Sequence, residues 1–171
     1  EMLPGFNDLA TKNPDLAKEW HPSKNGDLKP STISPFAHNK VWWLCNIGHS
    51  YECTLGNRML GNCCPYCANK KVLKGFNDLA TTHPELLQEW DFEKNETKPT
   101  ELTAHSGKKI WWRCLKCGYS WETPPAYRVR SKSISGCPSC VGTAVHPGFN
   151  DLETKYPQVA KHWDYSLNKD L

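Results

Sequence analysis

Thiol and imidazole side chains fall into four close groups along the chain. Between Trp42 and Cys67 stand Cys45 with His49, then Cys64 with Cys67. Between Trp111 and Cys140 stand Cys114 with Cys117, then Cys137 with Cys140. Two pairs of soft donors separated by a short segment suit one tetrahedral Zn2+, which prefers thiolate and imidazole. The later set is the more regular, with 19 residues between two Cys-x-x-Cys pairs. A lone Cys-Pro-Ser-Cys is also compatible with thiol–disulfide exchange. Here an upstream pair accompanies it and no strand–helix–strand pattern surrounds it. The spacing therefore predicts two zinc ions per chain.

The first set lacks a cysteine at the position of Cys117. Aligning Ser50-Tyr51-Glu52 with Ser120-Trp121-Glu122 sets Gly48-His49 opposite Gly118-Tyr119, with one residue deleted before Gly48. Three cysteines then need a fourth partner, and His49 supplies it. Cys64 is preferred to its neighbour Cys63 because Cys64-Pro65-Tyr66-Cys67 matches Cys137-Pro138-Ser139-Cys140. Cys53 and Cys63 have no counterparts in the second set and are read as spare thiols. The remaining histidines occupy no repeated ligand position. Four protein ligands close the coordination shell, whereas a hydrolytic zinc keeps a position for water. No glycine-rich phosphate loop and no Ser-His-Asp arrangement stands elsewhere, so no enzymatic activity is expected of this chain.

The elements that must hold these donors recur. Gly5-Phe6-Asn7-Asp8-Leu9 returns as Gly75-Phe76-Asn77-Asp78-Leu79 and as Gly148-Phe149-Asn150-Asp151-Leu152. Repeats at such a period signal tandem units. They divide the chain into residues 1–72, 73–145 and 146–171, the last being the helical start of a third repeat. A longer parent chain, with more repeats or another domain beyond residue 171, is expected. Each repeat opens with a short helical turn and then a helix such as Asn13–Trp20, where Asn13 is placed to cap and Pro14 suits the first helical position. Phe6, Leu9, Leu16 and Trp20 are expected to form a small core. Pro30 and Pro35 then favour extended backbone. Lys40–Cys45 and Lys109–Cys114 read as strands entering a metal knuckle, with return strands at Ser50–Thr54 and Ser120–Thr123. Of each pair, Trp42-Trp43 and Trp111-Trp112, one ring faces the core and the other is free to act as a stacking platform. The expected class is small α+β, with tandem modules of a helical segment followed by a zinc-knuckle β-hairpin.

Composition agrees with small units. The chain has 171 residues, 38% of them apolar, with 8 Trp, 13 Pro and 9 Cys. Units near 70 residues benefit from a metal staple. No run of about 18 apolar residues suggests a membrane span. Paired rather than dispersed cysteines, and the absence of a visible secretion signal, point to a reducing intracellular compartment, whether cytoplasm, nucleus or organelle. The net charge is only +3, but it is unevenly spread. Residues 38–74 hold five basic side chains against Glu52, and residues 105–132 hold seven, including Lys132, against Glu122. The helical remainder is acidic. Arg58 and Arg128, each seven residues after an aromatic, are the first candidates for phosphate contacts, with Lys40, Lys109, Arg113 and Arg130.

The ordered motifs Phe-Asn-Asp-Leu-Ala-Thr, Pro-x-Leu-x-x-Glu-Trp, Val-Trp-Trp-x-Cys, Gly-His-x-Tyr and Cys-Pro-Tyr-Cys resemble the "probable zinc-ribbon" treble-clef repeat family. The resemblance covers essentially the whole chain. It implies tandem zinc-ribbon or treble-clef modules with a Cys, His, Cys, Cys ligand set, from which the second repeat departs by using Cys117 with Tyr119 in place of the histidine. Such repeats are sometimes fused to restriction-type or Vsr-like endonuclease domains. The resemblance therefore implies nucleic-acid binding, with DNA favoured over RNA, as the targeting part of a larger nuclease or mobile-element protein. An RNA- or ribosome-associated module, a zinc scaffold for protein–protein interaction and a thiol redox protein are the competing readings.

Overall fold

The computed structural model describes residues 2–130 and 136–168. Lys132 and the last three residues of the third repeat lie outside them. The chain divides into two compact units, Glu1–Lys71 and Val72–Leu171, and the opening of the third repeat belongs to the second. Among the described residues no helix is long and apolar enough to cross a membrane.

The Gly-Phe-Asn-Asp-Leu motif is a helix-capping device. α1 (Leu9–Lys12) and α4 (Leu79–Thr82) are single turns capped by Asp8 and Asp78. The Asp78 carboxylate accepts hydrogen bonds from Thr81 N, Thr81 Oγ1 and Gly75 N at 3.0, 2.8 and 2.6 Å. Asp8 repeats the set with Thr11 and Gly5. The glycine must turn its N–H back onto the carboxylate, and its φ of +81° at Gly75 is the left-handed region that other residues avoid. Leu9 and Leu79 are fully buried behind these caps. Phe6 is not part of that core, contrary to expectation. It is 67% exposed, with the Lys12 ammonium over its ring.

α2 (Pro14–Lys18) follows directly. Asn13 makes no side-chain cap; its backbone serves instead, donating N–H to Leu9 O and accepting from Ala17 N. In the second unit the equivalent Pro84–Glu89 is a 3-10 helix. Pro30 also begins a short 3-10 turn, Pro30–Thr32, mirrored by Pro99–Glu101, where extended backbone was expected. Proline at the first position of a turn loses no hydrogen bond, which explains the outcome.

The hairpins are β1 (Lys40–Leu44) with β2 (Ser50–Thr54), and β3 (Ile110–Arg113) with β4 (Ser120–Thr123), both antiparallel. Their outer edges are not left open. Asn25 pairs its amide with Trp42 N and O, and Asn95 does the same for Trp111. The side-chain amide thus imitates a neighbouring strand. A short helix follows each hairpin, α3 (Leu55–Met59) and α5 (Pro125–Val129). The third repeat adds α6 (Leu152–Lys155) and α7 (Pro157–Ala160).

Alternation along the strands divides the tryptophan pairs as expected. Trp43 and Trp112 are fully buried, and their indole N–H groups donate to Cys53 O and Thr123 O. Each meets the helix-end tryptophan edge to face, Trp20 at 5.6 Å and Trp90 at 5.4 Å. Such contacts contribute about 0.5–1.5 kcal/mol beyond area burial. Trp42 and Trp111 stand half-buried, each covered by a lysine ammonium at 4.3 Å, Lys24 and Lys94.

Arg58 and Arg128 require the main correction. Both are buried, at 9% and 1% exposure, and not at the surface. Arg58 Nη2 pairs with Glu19 at 2.6 Å and its Nη1 donates to Asn62 O. Arg128 pairs with Glu89 and lies over the rings of Trp112 and Trp121 at 4.7 and 5.2 Å. Among the described residues its Nε and Nη1 have no acceptor, and the indole faces take that place. Each arginine ties the helical segment to the helix after the hairpin.

Two outcomes follow. Arg128→Ala leaves Glu89 unpaired and opens a gap beneath two indoles. Its urea midpoint at fixed free zinc should fall by the equivalent of about 3 kcal/mol. Asp78→Ala should cost about 1 kcal/mol. Burial alone would raise the Asp78 carboxyl, but the Thr81 hydroxyl and the Gly75 and Thr81 amides hold it below its ordinary value. The cap is therefore complete above about pH 3.9 and is lost as pH falls through the lower folded value. The wild-type advantage over Asp78→Ala in acid titrations should vanish in that direction; an advantage that grows on acidification would contradict it.

Candidate metal centres

Each hairpin turn carries half of a donor cluster. Cys45 directly follows β1 and His49 directly precedes β2. The knuckle is closed by Cys45 N–H to His49 O at 3.1 Å and Gly48 N–H to Cys45 O at 2.8 Å. Gly48 takes φ +93°, which permits so tight a turn. His49 N–H also points at Cys45 Sγ, 3.3 Å away. In the second unit the same closure runs from Cys114 N–H to Tyr119 O and from Gly118 N–H to Cys114 O, both at 2.9 Å. Tyr119 thus holds the register position of His49. The deletion in the first knuckle removes the inner ligand, and the imidazole at the foot of the return strand reaches in to replace it.

The other half comes from the Cys-Pro-x-Cys turns. Ala68 N–H bonds Cys64 O and Lys70 N–H bonds Pro65 O, with Val141 to Cys137 and Thr143 to Pro138 as counterparts. Asn69 and Gly142, each two residues past the last cysteine, take left-handed backbone that ends the turn. Two groups result, Cys45, His49, Cys64, Cys67 and Cys114, Cys117, Cys137, Cys140, with the ligand atoms of each group all within 4.8 Å of one another.

The distances fit zinc. Bonds of about 2.3 Å to sulfur and about 2.0–2.1 Å to nitrogen place tetrahedral sulfurs roughly 3.8 Å apart and sulfur and nitrogen roughly 3.6 Å apart. Cys45 and Cys67 sulfurs are 3.9 Å apart, and His49 Nδ1 lies 3.3 Å from Cys67 and 3.7 Å from Cys64. In the second cluster Cys114–Cys140, Cys117–Cys137 and Cys117–Cys140 stand at 3.7, 3.6 and 3.6 Å. A disulfide would need about 2.05 Å, and all nine cysteines are free. Each cluster can therefore hold one zinc ion, His49 through Nδ1, with Tyr66 edge-on to its ring at 5.8 Å.

The thiols also want a cation. Burial works against ionisation at Cys117, but the Tyr119 N–H and the neighbouring thiols outweigh it and pull Cys117 down to about 6. Burial and the same sulfur contacts push Cys140 up to about 12, and burial with Cys64 and Cys45 does so for Cys67. Burial opposes ionisation at Cys45 too, but the His49 and Ile47 amides and the neighbouring thiols lower it, as at Cys117. A thiolate beside another thiol disfavours a second negative charge, which a dication would neutralise.

Residues beneath the knuckles were not singled out by sequence. Buried His21 places Nε2 3.0 Å from Ser50 Oγ, and buried Asp91 accepts from Ser120 Oγ at 3.0 Å. Both fix the first residue of the return strand, next to His49 or Tyr119. The repeated serine was the available signal. Cys63 is exposed and Cys53 partly buried; neither joins a donor cluster among the described residues. Of the expected phosphate contacts, Arg113 is held by Asp91 at 3.2 Å and Glu93 at 2.5 Å. Lys40 pairs with Glu52 across an exposed strand face at 3.0 Å. Lys109 and Arg130 are exposed, the latter over Tyr127 at 5.8 Å.

Native mass spectrometry should find two zinc ions per chain, with chelation abolishing the near-ultraviolet dichroism of the buried indoles. His49→Ala should reduce retention to one ion against a competing chelator. Cys53→Ser and Cys63→Ser should keep both ions. Loss of zinc in Cys63→Ser with retention in Cys64→Ser would reassign the ligand.

A comparison with curated proteins finds no match. The family described as a probable treble clef zinc finger domain matches residues 16–70 and 86–143, two tandem regions that each enclose one donor cluster. With most of its length so matched and both metal centres in place, the chain belongs to the probable treble clef zinc finger family.

Proposed function

We propose that this chain is a non-catalytic nucleic-acid-binding module, most simply a DNA-targeting part of a larger nuclease or mobile-element protein, in which zinc maintains shape. The observation that carries the reading is the set of exposed cations on the metal-binding halves. Lys70, Lys71, Lys74, Lys108, Lys109, Lys116 and Arg130 remain at the surface after the buried arginines are set aside. The carboxylates that balance the net charge lie mostly in the helical halves. Exposed ammonium groups bind phosphate by releasing condensed counterions and need no sequence code. Arg58 and Arg128 are buried against Glu19 and Glu89 and support the surface without forming it, while the exposed Arg113 has its charge balanced by Asp91 and Glu93. Each cluster's four protein donors leave no position for a hydrolytic water.

Affinity of the zinc-loaded chain for DNA and RNA should fall steeply with salt. Lys70→Glu with Lys71→Glu and Lys74→Glu should reduce it at least tenfold, with a shallower log–log salt slope and unchanged zinc content. No binding to either nucleic acid at low salt would end the reading in favour of a protein-interaction scaffold.

A further inference from the structure

We infer that each unit carries a groove that stacks an unpaired nucleobase, so that the favoured ligand is single-stranded rather than duplex; this rests on the nucleic-acid reading above. In the first unit the loop before β1 and the helix α3 enclose a groove of about 540 Å³, walled by Phe36, His38, Asn57, Met59 and Leu60. In the second, the loop before β3 and the helix α5 enclose one of about 400 Å³, walled by His105, Ala126, Tyr127, Val129 and Arg130. The helix residues correspond at an offset of 70. The same place on the repeat is thus hollow twice.

The walls are fixed. Leu55 N–H bonds Asn39 O at 3.2 Å and Ala126 N–H bonds Ser106 O at 3.3 Å, tying each loop to its helix. The inward residue of each helix is the buried arginine of the Glu–Arg clamp, so the outward residues have little freedom to rotate inward. Those outward groups are aromatic and apolar, with Phe36 73%, Leu60 81% and Tyr127 58% exposed. Among the described residues no carboxylate lines either groove, while Arg130 stands over Tyr127, and His38, Asn57 and His105 offer hydrogen bonds. In the second groove the exposed Tyr127 ring stands beside the Arg130 cation and the His105 imidazole; in the first the exposed Phe36 ring stands beside the His38 imidazole and the Asn57 amide. A ring offers a base its stacking face, the imidazole and amide offer its edge hydrogen bonds, and Arg130 offers a phosphate partner. Bases in a duplex have no free face for such a ring, and this selects single strands.

The test uses the zinc-loaded chain and four labelled probes of equal length: oligo-dT, oligo-rU, an oligomer of abasic sites with the same phosphates, and a duplex. The wild type should bind the intact single strands at least tenfold more tightly than the abasic strand. Phe36→Ala with Tyr127→Ala should lose that margin while keeping two zinc ions and the wild-type dichroism. Phe36→Tyr with Tyr127→Phe should restore it, because a ring is what is required. Equal binding of abasic and intact strands, or an alanine variant that binds oligo-dT like the wild type, overturns the stacking inference while leaving phosphate binding intact. The grooves would then belong to a protein partner. Failure of the wild type to bind any probe overturns both readings.

Discussion

Four sulfur or nitrogen donors held in mutual contact are a source of repulsion unless a cation sits among them. That constraint governs the whole molecule. Each hairpin has strands of only four or five residues, and a two-stranded hairpin of that length is marginal in water. Its turn is shaped to aim donors, with backbone amides spent on closing the knuckle. Metal binding therefore supplies folding free energy that a small apolar core does not. The uneven ionisation of Cys117 and Cys140 expresses the same constraint in proton terms.

At the other end of the hairpin the constraint is packing. Trp43 and Trp112 leave the sheet on the buried face and meet the helix-end tryptophans edge-on. The buried arginine then spans what the indoles cannot reach, from the last helix back to a glutamate 39 residues earlier. Metal at the turn and the cation–carboxylate clamp at the base hold a structure whose sheet alone would not persist. Ion pairs of this kind specify geometry more than they add net stability, since desolvation offsets much of their attraction. Here specification is useful, because the clamp fixes the final helix against a helical segment that is already joined to the hairpin through Leu44 N–H to Glu19 O and Asp91 N–H to Trp111 O.

Much of this was legible in the sequence. The donor groups, hairpin boundaries, tandem repeat and inward turn of one tryptophan per pair follow from spacing and alternation, which report local geometry directly. The arginines were misread because charge is ordinarily a surface property. Their burial depends on Glu19 and Glu89, whose proximity is a tertiary fact that a lone charged residue does not announce. A matched Glu and Arg recurring at one separation in both repeats was the signal available. Phe6 was misread for the converse reason. It belongs to a motif whose repeated members are needed for capping by Gly5 and Asp8, and hydrophobicity alone does not distinguish a core residue from one beside a turn. The use of Asn25 and Asn95 as strand substitutes depends on where β1 and β3 lie, which no local pattern announces.

In the second unit the motif does one thing more. The Asn150 amide donates to Ser139 O and Ala144 O at 2.8 Å, and its carbonyl accepts from His146 N. Its partners are therefore main-chain groups of the metal turn and the linker, not side chains. A joint made to backbone is indifferent to which residues stand in the socket. The opening of the third repeat is thereby fastened to the turn that carries Cys137 and Cys140, so whatever loosens that turn also loosens the helix start that Asp151 caps.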